Sequence, residues 1–138
     1  MQDAVDFIHG FYESIKKRDA HAISAHYKNS EQTYVILEGP RLATQGYDNI
    51  RDGWIAFCIS DIRLLSIQWN DGPHVFNFAG SSTLAGVIEL QVSIGSKSFT
   101  NIFRASFTLE KSKSKYYIVH EHVSGALSDP YGIGDWKK

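Results

Sequence analysis

The chain has 138 residues and a mass of 15.5 kDa, enough for one compact domain and too few for two cores of ordinary size. Hydrophobic residues at 43% and charged residues at 21% exclude the depleted composition of a disordered chain. The 14 Lys and Arg nearly balance the 15 Asp and Glu, so no general field holds the molecule on a polyanion, nucleic acid is not an expected partner, and near-neutrality favours self-association.

Ala4, Val5, Ile8, Phe11, Tyr12 and Ile15 recur at three- and four-residue steps, which predicts an amphipathic helix over residues 3–18 that ends in a solvated Lys16-Lys17-Arg18. Asp19 suits the N-cap of a shorter helix reaching about Tyr27. Thr33 to Leu37 reads as a strand stopped by Gly39-Pro40, and Leu42 to Gln45 returns beside it as a small hairpin. Tyr47, Ile50, Trp54 and Phe57 restore helical spacing, although Gly53 among them costs about 1 kcal/mol relative to alanine.

From Asp61 the pattern is strand. The expected segments are Asp61 to Trp69, a turn at Asn70-Asp71-Gly72-Pro73, and His74 to Ile94 with a break near Gly80-Ser81-Ser82. Ser98 to Leu109 and Lys115 to Ser124 follow, with turns at Gly95-Ser96-Lys97 and around Lys111 to Ser114; the lysines at 111, 113 and 115 mark a solvated hairpin tip. The fold class is therefore α+β: three helices packed on one face of a strongly curved, largely antiparallel sheet, enclosing a cone-shaped cavity. Residues 1–128 form the domain, and the breaker-rich stretch 129–138 forms a tail on the surface or against a partner.

Cys58 is the single cysteine, which excludes an intrachain disulfide, fits a reducing compartment and reads as a small buried hydrophobe. No apolar run approaches the roughly 20 residues that span a bilayer, and Met1-Gln2-Asp3 opens no secretory signal. No membrane association is expected, and the cytoplasm is the expected location.

The last strand carries the most distinctive cluster. Strict alternation from Tyr116 to Ser124 places Tyr116, Ile118, His120, His122 and Ser124 on one side, and Tyr117, Val119, Glu121 and Val123 on the other. The preceding strand offers Arg104, Ser106 and Thr108 against Phe103, Ala105, Phe107 and Leu109. A three-residue loop at Ser112 to Ser114 sets Ser106 opposite His120 and Arg104 opposite His122, whereas a two-residue loop sets the aromatic row there. The first arrangement separates polar from apolar side chains and is preferred.

Arg104-x-Ser106-x-Thr108, then Tyr116 and Ile118-Val119-His120-Glu121-His122-Val123-Ser124, resembles the C-terminal signature of SnoaL-like domains in the nuclear-transport-factor-2-like superfamily. Phe11-Tyr12, Lys17-Arg18-Asp19, Gly46 to Ile50 and Trp54 match at the corresponding places, and the resemblance covers residues 4–127. It implies a conical α+β barrel of the cystatin-like type and a homodimer. The family includes ketosteroid isomerase-like and polyketide cyclase-like enzymes, dehydratases, and the association domain of calmodulin-dependent kinase II, so fold alone does not fix the function. This chain has Tyr116 where the family usually has Trp, Lys113-Ser114 for its usual Asp-Gly turn, a longer segment from Pro73 to Ile94, and no match to the paired acids of the ketosteroid isomerases.

His120 and His122 are the expected proton-transfer groups, because imidazole both donates and accepts near neutral pH. The alternative is a structural pair holding Arg104 or a helix end. A His-x-His strand could also supply two ligands to zinc or iron, but a third ligand at definite spacing is missing, so neither a metal nor another cofactor is expected. Arg104 could clamp a carboxylate or pair with Glu121 or Glu89. Ser106, Tyr12, Tyr34, Trp54 and Trp69 complete the expected ligand contacts, although aromatics at these spacings also suit a core.

The expected ligand is a small, partly apolar molecule with a carbonyl or carboxylate, undergoing isomerisation, cyclisation or water addition and loss. The competing role is homo-oligomeric assembly through an outer sheet face bearing Leu84, Ile88, Leu90 and Val92.

Overall fold

The computed structural model describes residues 3–127, and the expected tail at 129–138 lies outside them. Helix α1 spans Ala4–Lys16 and begins where the Asp3 carboxylate accepts the Asp6 amide at 2.8 Å. Its Ala4, Ile8, Phe11, Tyr12 and Ile15 form the buried stripe that the spacing predicted, with Phe7 added to it and Val5 only half-buried. Asp19 caps α2 (Ala20–Ala25) by accepting the Ala22 amide at 3.0 Å.

Arg18 departs from the solvated cluster expected of it. Its backbone is left-handed (φ 58°), and its guanidinium reaches the carbonyl of Cys58 in the last turn of the third helix and those of Ser60 and Ile62 just past it. These carbonyls have no helical partner of their own, so Arg18 both satisfies them and complements the negative end of that helix.

Strands β1 (Tyr34–Ile36) and β2 (Thr44–Gln45) form the expected antiparallel hairpin, and α3 runs from Tyr47 to Ile59. Four long strands follow: β3 (Ile62–Phe78), β4 (Ser81–Ile94), β5 (Lys97–Ser112) and β6 (Lys115–Gly125). They build one mixed six-stranded sheet in the order β2-β1-β6-β5-β4-β3, in which β1 runs parallel to β6 and the other neighbours are antiparallel. With β2 and β3 as its two edges the sheet is open, so the cone is not a closed barrel.

The Asn70–Pro73 turn signal produces no turn. β3 passes through it with register shifts on either side of Asp71, and the chain reverses instead beyond Phe78, at Ala79-Gly80. Bulges use the same glycine and proline chemistry as turns but spend it on bending a strand, which is why the composition misled. At Gly86 a Cβ would stand 2.2 Å from the Asp71 carbonyl and 3.0 Å from Trp69, so glycine lets the bulged strand and the indole close over β4.

The inner face of the sheet meets α1 in the core, where Leu84, Ile88, Phe107, Leu109 and Ile118 are fully buried. This corrects the association surface inferred from alternation: Leu84 and Ile88 are core, and Leu90 and Val92 face the interior cavity. The opposite face of β4 carries Thr83, Ala85, Val87, Glu89 and Gln91, each across from an outward residue of β5.

Candidate functional site

A cavity of about 660 Å³ lies between the inner sheet face, α1, α3 and the β1–β2 connection. Its wall is mainly apolar, with Leu64, Leu90, Val92 and Phe103 from the sheet and Trp54 and Phe57 from α3, a size and character that suit a small organic molecule. Into this wall projects one buried carboxyl, Glu121, at 2% exposure.

Glu121 is there because β6 does not alternate strictly. The turn at Lys113-Ser114 has two residues, with Ser112 opposite Lys115, and that register sets the aromatic row of β5 beside the even-numbered residues of β6. Leu109 then pairs with Ile118 but Thr108 pairs with His120, which leaves Val119 as an extra residue on β6. A bulge of this kind exchanges the faces of every later side chain. Tyr116 and Ile118 point into the core before it; Glu121 and Val123 do so after it, while His120, His122 and Ser124 turn outward.

The carboxyl sits between Phe107 of β5 and Val35 of β1 in register. Tyr27, just beyond α2, donates its hydroxyl to Glu121 Oε1 at 2.5 Å, and Trp54 Nε1 donates to the Tyr27 oxygen at 3.1 Å. An indole N–H only donates, so Trp54 commits the phenol hydrogen to Glu121. The proton of the neutral acid then belongs on Oε2, which accepts no hydrogen bond among the described residues.

Burial drives the Glu121 pKa from 4.5 up to about 7, against the Tyr27 hydrogen bond, which favours the ionised form. Burial first and the Glu121 charge second hold the phenols of Tyr12 and Tyr27 well above their usual range, so both remain neutral donors. Tyr12 lines the same cavity, and its buried hydroxyl has no partner among the described residues. A carboxyl poised at neutrality on an apolar wall can both accept a proton from a ligand and return it.

Two of the residues expected from sequence, Tyr12 and Trp54, come together here. The others lie elsewhere. His120 contacts the Tyr34 carbonyl through Nδ1 at 2.8 Å, with the Tyr34 ring beside it and 38% exposed. Arg104 donates to Ser124 Oγ at 3.1 Å and to the Gly125 carbonyl at 2.9 Å. Ser106 faces His122 across the outer side, one rung later than expected, and Trp69 packs against the core without reaching the cavity wall. One bulge thus turns both imidazoles, the expected proton-transfer groups, away from the cavity, whereas the separation of polar from apolar rows holds.

Glu121 and Tyr27 were absent from the candidates that sequence suggested. A signal was available for the first: Glu121 is the lone acid in the row Tyr117, Val119, Glu121, Val123. Tyr27 carried none, because only the fold sets it beside a residue 94 positions away.

The model of the SnoaL-like domain family matches residues 5–128, and the chain belongs to that family. Among solved structures it is similar to a nuclear-transport-factor-2-like superfamily protein from Salmonella enterica, with a TM-score of 0.78, 17% identity, and 94% of this chain and 93% of that one covered. A protein described as a calcium/calmodulin-dependent protein kinase type II association domain, from Thiobacillus denitrificans, gives 0.74, 14%, and 92% and 98%. A ketosteroid isomerase-like protein from Erwinia carotovora atroseptica gives 0.73, 12%, and 90% and 94%. At these identities the likeness is one of fold. No curated protein matches the chain. No described helix is long and apolar enough to cross a membrane.

Proposed function

We propose that the chain binds a small, mainly apolar carbonyl compound in the cavity and moves a proton on it through Glu121. The observation that carries this reading is a buried carboxyl on the wall of an apolar cavity, its Oε1 held by Tyr27, which Trp54 holds in turn, and its pKa pushed by that burial up to about 7. As carboxylate, Glu121 takes a proton from the carbon beside the carbonyl; as acid, it returns that proton to another carbon or to a departing hydroxyl. Isomerisation and loss of water both fit this scheme.

An assembly role is less well supported. The apolar set assigned to association faces inward.

The test is hydrogen–deuterium exchange at the carbon next to the carbonyl of a compact apolar ketone such as β-tetralone, in deuterated water. The wild-type protein accelerates exchange above the buffer rate, with the rate falling below about pH 7 as Glu121 takes up its proton. Glu121→Gln loses roughly two to four orders of magnitude of that acceleration. Exchange at the buffer rate, or equal exchange in the variant, contradicts the reading.

A further inference from the structure

The proton-transfer end of the cavity accounts for Tyr12, Tyr27, Trp54 and Glu121 but not for the charged groups of the β1–β2 connection. Glu38 and Arg41 of that connection both line the cavity, and Arg41 also lines a smaller adjoining hollow with Asp52. The acids there are already engaged. Glu38 Oε2 accepts the Gly125 amide at 2.6 Å, and Asp52 pairs with Arg51 at 3.3 Å.

The other arginines are committed or lie elsewhere. Arg18 is held by backbone carbonyls, Arg51 by Asp48 and Asp52, and Arg104 by Ser124 and Gly125, while Arg63 sits on β3 away from the cavity wall. Arg41 alone reaches the cavity, and among the described residues it has neither an ion pair nor a hydrogen bond. A guanidinium is a planar fork that fits a carboxylate or sulfonate with two parallel hydrogen bonds.

Resting on the reading of the cavity as a ligand site, we infer that its ligand is amphiphilic: an apolar body with a neutral oxygen toward Glu121 and an anionic group bound by Arg41. Electrostatics favours this orientation, because an anion pushed toward the ionised Glu121 would be repelled in an apolar wall, whereas at the exposed Arg41 it meets a cation that has no ion pair among the described residues. The anionic group thus selects among apolar carbonyl compounds of similar size, a task the smooth hydrocarbon wall cannot perform.

A matched pair of fluorescent probes tests this. Anilinonaphthalene sulfonate and neutral N-phenylnaphthylamine share an aromatic body and differ in the anion. Both are expected to bind the wild-type protein, and Gly53→Leu, which adds a side chain in open space at the cavity wall, should weaken both. Arg41→Gln is expected to weaken the sulfonate roughly tenfold or more, from loss of a charge-assisted contact, and to leave the neutral probe within about twofold. Arg41→Lys should recover part of the sulfonate affinity.

Sulfonate affinity unchanged by Arg41→Gln overturns the inference while the cavity reading stands. Failure of the neutral probe to bind the wild-type protein, or its indifference to Gly53→Leu, overturns the cavity reading itself.

Discussion

The two faces of β6 beyond Val119 differ in chemistry and in what holds them. On the outer face His120, His122 and Ser124 stand in line with Thr108, Ser106 and Arg104, half-exposed or exposed, and their hydrogen bonds run to neighbouring backbone and hydroxyl groups. On the inner face Glu121 and Val123 lie against Phe107 and Ala105, and the acid keeps a single described hydrogen bond in an apolar wall. The outer groups can meet their hydrogen-bonding needs with water, so their number says little about function. The inner carboxyl cannot, and the free energy of confining it there is what makes it chemically poised.

The comparison can be broken first by truncation. Phe107→Ala on the inner face is expected to cost about 3–5 kcal/mol in urea unfolding, whereas its neighbour Ser106→Ala on the outer face costs no more than about 0.5 kcal/mol. Similar losses would mean that the faces are not as unlike as their burial indicates.

The next effect depends on pH. An unfolded Glu121 releases its proton around 4.5, while the folded one holds it to about 7, so the folded state binds more protons in between. Stability therefore falls as pH rises through that window, by roughly 3 kcal/mol, and levels off above it. Glu121→Gln keeps an acceptor for Tyr27 and lacks the charge. It is expected to raise the melting temperature above that of the wild type at pH 8 and to flatten the profile between pH 5 and 7. A variant that melts lower at every pH would show that the carboxylate is stabilising.

The smallest effects belong to the imidazoles. His120→Ala and His122→Ala should each cost at most about 1 kcal/mol, the net worth of an accessible hydrogen bond, and should leave ketone exchange by the protein unchanged. Loss of exchange in either variant would return the chemistry to the outer face.

Much of the architecture was legible in the residues themselves. The stripe of α1, the Asp19 cap, the β1–β2 hairpin and the last two strands follow from local periodicity and capping, and the polar and apolar rows of β5 fixed which sides would meet. The direction of those rows was not legible. It depends on one unpaired valine in β6, and a bulge leaves no mark in composition when its extra residue is one more β-branched side chain in a strand-forming run. Arg18 and Tyr27 escaped for another reason: their partners lie 42 and 94 positions away, and no local pattern announces such contacts.

The central claim is that Glu121 faces the cavity as an acid poised at neutrality, and side-chain carbon NMR of the glutamates across a pH titration tests it most directly. One carboxyl resonance should titrate with a midpoint of about 7, disappear in Glu121→Gln, and shift when N-phenylnaphthylamine fills the cavity. If every glutamate instead titrates in the ordinary carboxylate range below pH 5, the carboxyl is solvated and the account of this site is wrong.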